Sequence, residues 1–140
     1  MGKTVVLYAT MTRHSRRLAK AIGAAIQAEV FDVSARPELR AVDLLLIVGG
    51  IYGGQSLPKL TDFIAQLDGA QVKRAALITS CASGSDRQVK VREILEGKGI
   101  ELLGEHVCRG GFLLYGIGRP NRTDVEQAVA FATGIARQTV

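Results

Sequence analysis

The chain has no Trp, two Cys and three Pro among its 140 residues, and aromatics make up only 5% of it. So few rings leave little surface for stacking bases, and no Lys/Arg run marks a phosphate-backbone track, although the net charge is +5. Nucleic-acid binding is therefore not expected, and Arg16 and Arg17 read as a solvated helix face. Cys81 and Cys108 stand far apart, with no metal-ligand spacing around either. Two such thiols make no disulfide framework, so a reducing, cytoplasmic setting is expected. His106 has no Cys or His partner at ligand spacing and reads as structural, and no metal is expected. The longest uncharged apolar run, Leu44 to Gly54, is too short to span a bilayer. Met1-Gly2-Lys3 leads straight into an apolar run with no signal-peptide pattern.

What the chain does have is 47% hydrophobic residues and sixteen Gly, the composition of a globular protein with many tight turns. Its length predicts one domain, residues 1–140, with a core large enough to stand without staples. Apolar runs predict strands at Thr4–Tyr8, Glu29–Val33, Val42–Val48, Ala75–Ser80 and Glu101–Cys108. Helical spacing of Leu18, Ala19, Ile22, Ala25 and Ile26 predicts a first helix. Three more are predicted over Leu57–Leu67, Asp86–Lys98 (closed by Gly99) and Asn121–Ala136. The link Ser34–Ala41, with Pro37, has room for one helical turn. Strands apolar without alternation belong to a parallel sheet covered on both faces. The expected fold is thus a three-layer α/β/α sandwich around a five-stranded parallel sheet, order 2-1-3-4-5.

Ligands in such sheets sit beyond the carboxyl ends of the strands. Three loops leave that edge: Thr10–Ser15, Gly49–Ser56 and Thr79–Ser85. The first carries the hydroxyls of Thr10, Thr12 and Ser15 where a helix begins. Free N–H groups and the positive helix end make that turn a candidate phosphate cradle. Simple capping of the helix by Thr12 or Ser15 is the other reading. The second loop, G-G-I-Y-G-G-Q-S, allows close backbone approach to a ligand, and Tyr52 offers a ring to a flat one; a Tyr in the core or on the surface is the alternative. The third, T-S-C-A-S-G-S, offers hydrogen bonds but no strong acid or base.

These motifs together resemble the short-chain flavodoxin family. The family's phosphate loop T-x-T-G-x-T appears as Thr10-Met11-Thr12-Arg13-His14-Ser15, with Arg13 in the glycine's place. Its G-x-x-Y loop appears as Gly49-Gly50-Ile51-Tyr52, and its third loop as Thr79 to Gly84. The stretches Lys98–Gly110 and Gly118–Asp124 resemble K-G-x-x-x-x-G-E-x-x-C-x-G and G-x-P-N-x-x-D of a flavodoxin-like subgroup, so the likeness spans nearly the whole chain. The resemblance implies bound FMN and electron transfer. It places Thr10, Met11, Thr12, Arg13, His14 and Ser15 around the 5′-phosphate. Gly50, Ile51, Tyr52 and Gly53 would flank the isoalloxazine ring. Ser80, Cys81, Ala82, Ser83 and Gly84 would meet its pyrimidine edge. No residue is assigned a catalytic role. The third loop has no aromatic, so a sandwich of the ring between two aromatics would require Tyr115. Flavodoxin carriers are acidic and this chain is basic, so its partner would be an acidic redox protein or a small electron acceptor.

Three other readings compete. One is a small FMN-dependent oxidoreductase, either a quinone reductase or an enzyme resembling the flavodoxin-like protoporphyrinogen oxidases. Another is a flavin-free interaction domain on the same fold. The third is a phosphatase, because Cys81 to Arg87 has the form C-x-x-G-x-x-R. Asp86 would repel a phosphate there, and Gln88 stands where a hydroxyl normally bonds the thiolate.

Overall fold

The computed structural model describes residues 3–9, 14–52, 55–81, 87–109 and 122–138. In chain order these form β1 (Thr4–Ala9), α1 (His14–Ile26), β2 (Glu29–Asp32), β3 (Val42–Tyr52), β4 (Gln55–Ser56) and α2 (Pro58–Gln66). Then come β5 (Val72–Cys81), α3 (Val89–Gly97), β6 (Glu101–Arg109) and α4 (Arg122–Gln138). Short 3-10 turns at Val33–Ala35 and Gly69–Gln71 complete them. The sheet order is β2-β1-β3-β5-β6, all parallel, with the two-residue β4 antiparallel on β3. Numbered without β4, that is the expected 2-1-3-4-5.

Alternate residues of each strand go to opposite faces, and both faces are apolar. Val5, Leu7, Leu45, Ile47, Ala75 and Leu77 pack against Leu60 and Ile64 of α2 and Val91 and Leu95 of α3. Val6, Tyr8, Leu44, Leu46, Ala76 and Ile78 pack against Leu18, Ala19 and Ile22 of α1 and Ala128, Ala132 and Ile135 of α4. Each fully buried Leu or Ile contributes about 1.5–3 kcal/mol, which is why strands lacking polar alternation are stable only between two helical layers.

Several boundaries differ from the sequence expectation. β3 runs on through Gly49 and Gly50 to Tyr52 instead of stopping at Val48, because those residues pair with Thr79, Ser80 and Cys81. β5 begins at Val72, since Lys73 and Arg74 are carried within the ladder, ion-paired with Asp43 and Glu101. Val33 leaves β2 for a 3-10 turn capped by Asp32, whose side chain accepts from the Ser34 N–H. α3 begins at Val89 rather than Asp86, with Gln88 as its N-terminal flanking residue. β6 gains Arg109, and α4 runs from Arg122 to Gln138. Ala25 is exposed: it lies a quarter turn from the middle of the buried stripe of Ser15, Leu18, Ala19 and Ile22. Among the described residues no helix is long and apolar enough to cross a membrane.

Candidate functional site

The carboxyl ends of the central strands are level. Ala9 of β1 lies beside Gly49 of β3, Gly49 beside Thr79 of β5, and Thr79 beside Val107 of β6. One step further, Gly50 pairs with Ser80 and Ile51 with Cys81. β1 stops at Ala9, while β3 continues for three residues. β5 holds one side of that extension, so β4 occupies the lane that β1 vacates, pairing Ile51 with Ser56 and Tyr52 with Gln55. Among the described residues, Gly50 falls between the two ladders. A notch at this point is where the crossovers turn from one face of the sheet to the other, the location at which α/β sheets bind ligands.

α1 opens beside that notch, one short connection after Ala9. Its first turn holds no acidic residue. Ser15 is fully buried there, and its Oγ has no hydrogen-bond partner among the described residues. An unpaired buried hydroxyl costs about 1–3 kcal/mol, so a ligand atom at this helix end would satisfy both it and the free N–H groups. Arg16 and Arg17 are exposed, as expected of a solvated face.

On the other side of β3, the base of the third loop is held by a buried polar cluster. The Gln88 side chain donates to the Ile78 carbonyl (3.3 Å) and to Thr79 Oγ1 (3.1 Å). Thr79 Oγ1 in turn donates to Glu105 Oε2 at 2.6 Å. The Gln88 backbone N–H reaches the same Oε2 at 2.8 Å, and Arg92 donates to Oε1 at 3.0 Å. Glu105 and Gln88 were not expected as site-building residues. The one local hint of Glu105 is Gly104 within a strand, since an interior strand glycine signals a bulge.

Of the residues expected at the site, the structure brings Gly50 and Ser80 together, and Ile51 and Cys81, as ladder neighbours at one sheet edge. Ile51 and Ser80 are buried. His14 and Ser15 open α1, and Tyr52 ends β3. Thr10, Met11, Thr12, Arg13, Gly53, Ala82, Ser83 and Gly84 lie outside the described residues, as do Asp86 and Tyr115. Cys81 ends β5 and Arg87 is exposed. The backbone N–H of Gln88, the residue after Arg87, is committed to Glu105.

His106 stacks on Phe131 of α4, with ring centroids 5.5 Å apart and planes at 25°. Burial lowers its pKa below the ordinary imidazole value. No group of three His, Cys, Asp or Glu gathers into a metal site among the described residues. A cleft of about 920 Å³ runs along α2 and the link after β2, lined among others by Arg36, Glu38, Lys59, Asp62 and Phe63. It contains none of the expected site residues and mixes both signs of charge. The level strand ends are therefore the better candidate.

A protein of Methanocaldococcus jannaschii described as uncharacterized is 26% identical over 151 aligned positions, covering 96% of this chain and 99% of its own. Among solved structures, a flavodoxin from the domain Archaea superposes with a TM-score of 0.77 at 15% identity, over 98% of each chain. A flavoprotein from Lactobacillus acidophilus, solved in complex with FMN, superposes with a TM-score of 0.61 at 14% identity, over 78% of this chain and 93% of its own. The sequence pattern of the flavodoxin domain matches residues 5–126. From β1 into α4, then, this chain belongs to the flavodoxin domain family.

Proposed function

We propose that the chain is a single-domain FMN protein that carries electrons to or from a redox partner. The observation that carries this reading is Ser15: a fully buried hydroxyl without a partner, in the first turn of α1, beside the notch where β1 ends. A phosphate at that helix end would accept from the hydroxyl and from free backbone N–H groups. The groups present thus suit the phosphate end of FMN.

In this reading Thr10, Met11, Thr12, Arg13, His14 and Ser15 surround the phosphate. Gly50, Ile51, Tyr52 and Gly53 lie along the ring, and Ser80 through Gly84 bond its pyrimidine edge. Bound FMN supplies one- or two-electron chemistry, and the protein supplies binding, orientation and electrostatics. Buried Ile51 offers an apolar wall against water, and Ser80 a polar edge. The +5 net charge suits an acidic partner protein, with association that slows as salt rises. Two Cys far apart in a chain of 140 residues suit a reducing, cytoplasmic setting.

The sequence has no long insertion to wall a substrate pocket, which favours a carrier or a small-substrate reductase such as a quinone reductase over a protoporphyrinogen-oxidase-like enzyme. The test is a visible spectrum of the purified protein, followed by titration of the apoprotein with FMN, FAD and riboflavin. Near-stoichiometric flavin absorption with FMN bound tightest is expected. A colourless protein with no affinity for FMN defeats the proposal. Steady quinone turnover with a nicotinamide donor moves the role from carrier to enzyme.

A further inference from the structure

Glu105 is a carboxylate with no solvent-exposed side-chain surface, set in an edge strand. Burying an ion is costly unless its oxygens are well paired, and an apolar residue of similar volume is often as good for stability. What the ion does here is join distant parts of the chain. One oxygen, Oε2, accepts from Thr79 Oγ1 and from the Gln88 N–H. Thr79 stands two residues before Cys81, where β5 ends and the third loop leaves the sheet. Gln88 is the last residue before α3, where that loop has returned. The other oxygen takes Arg92, one turn into α3, which supplies the counter-charge.

The backbone of β6 is arranged to deliver this contact. Ala75 pairs with Leu102, yet Leu77 pairs with Glu105, so β6 holds one residue more than β5 over that interval. In a regular ladder Leu102 and Glu105 would face opposite sides, because side chains alternate. The bulge restores them to one side, so Leu102 packs in the layer of α2 and α3, and Glu105 meets Arg92 of α3. Its neighbours Gly104 and His106 both lie against Phe131 of α4 on the other face.

We propose that Glu105 is a positioning residue for cofactor binding, a buried carboxylate that fixes the separation of the two roots of the third loop through Thr79 and Gln88. The inference rests on the FMN reading above, in which that loop meets the pyrimidine edge of the ring. Loosening the roots would therefore weaken the ring's contacts and leave the phosphate's contacts unchanged. Riboflavin, which has the ring without the phosphate, separates the two.

The full-length Glu105→Gln and Thr79→Val proteins are titrated with FMN and with riboflavin, below their melting temperatures and with far-UV circular dichroism as the check on folding. Both variants should lose about tenfold in affinity, by the same factor for the two flavins. Affinities equal to wild type for both flavins, even with a lowered melting temperature, would reduce Glu105 to a stabilising residue and overturn the proposal. A loss confined to FMN would overturn it as well, by placing the effect at the phosphate. Thr79→Val is nearly isosteric, so it decides the matter if Glu105→Gln does not fold. Wild-type protein with no affinity for either flavin overturns the FMN reading itself, and this inference with it.

Discussion

Gln88 occupies the space that a side chain on Gly49 would need. A methyl group on Gly49 would lie 2.7 Å from Gln88 Oε1 and 2.9 Å from Leu60 Cδ2. Gln88 cannot swing aside freely, because its amide nitrogen is tied to Ile78 and Thr79. Gly49→Ala should therefore destabilise the fold by about 1–3 kcal/mol through overpacking. Urea denaturation of the two proteins measures this, and an unchanged midpoint would show that Gln88 is mobile.

Ser15→Ala should separate stability from binding. Without ligand, the variant loses a buried hydroxyl that has no partner among the described residues, so the apoprotein should be as stable as wild type or more so. FMN affinity should fall by about 1.5–3 kcal/mol, the scale of a hydrogen bond to a charged group, while riboflavin affinity stays unchanged. Paired melting curves and flavin titrations check both halves. A loss of riboflavin affinity would place Ser15 near the ring.

His106 predicts a pH dependence. Burial lowers its folded-state pKa below the ordinary imidazole value of about 6.5. Between the folded value and 6.5 the unfolded chain binds a proton that the folded chain refuses, so stability rises with pH across that window. It is lost as pH falls through 6.5 toward the folded value, and no further below that. His106→Phe keeps a ring against Phe131 and removes this slope. Stability curves of both proteins at several pH values, with the His106 ring followed by NMR, test it; parallel curves would count against the assignment.

Two glycines around the end of α3 should respond in opposite directions to the same substitution. Gly99 has φ of +76°, and a methyl group there would meet nothing within 4 Å, so the penalty of Gly99→Ala is that of the backbone alone, about 1–2 kcal/mol. Gly97 closes the helix without a positive φ and also faces open space. Gly97→Ala should stabilise by about 0.5–1 kcal/mol, through helix propensity and a less flexible unfolded chain. Thermal melts of the two variants should move to opposite sides of wild type.

The layers and strand order are legible in the sequence because each strand is an apolar run and each helix has an apolar stripe. Leu44-Leu45-Leu46-Ile47-Val48 has no other home than a sheet covered on both faces. The strand ends are harder to read. Gly49-Gly50 looks like a turn, and its pairing with Thr79 and Ser80 is decided by residues some thirty positions away. Lys73 and Arg74 hide the start of β5, because charges in a ladder make sense only beside Asp43 and Glu101. The polar base of the site was the least legible. Glu105 looks like a surface residue until the bulge turns it inward, and its three donors come from β5 and from the start of α3, both distant in sequence.

That same bulge bears on how the chain avoids misassembly as it folds. Strands apolar on both faces are poorly protected against sliding past one another, since a shift of one residue exchanges one greasy face for another. Between β5 and β6 such a slip would carry the Glu105 carboxylate to the α4 side, away from Thr79, Gln88 and Arg92. An ion buried there without its donors is worth several kcal/mol of penalty. A single charged residue thus acts as a proofreading mark for the edge of the sheet, tolerable in one alignment and prohibitive in its neighbours.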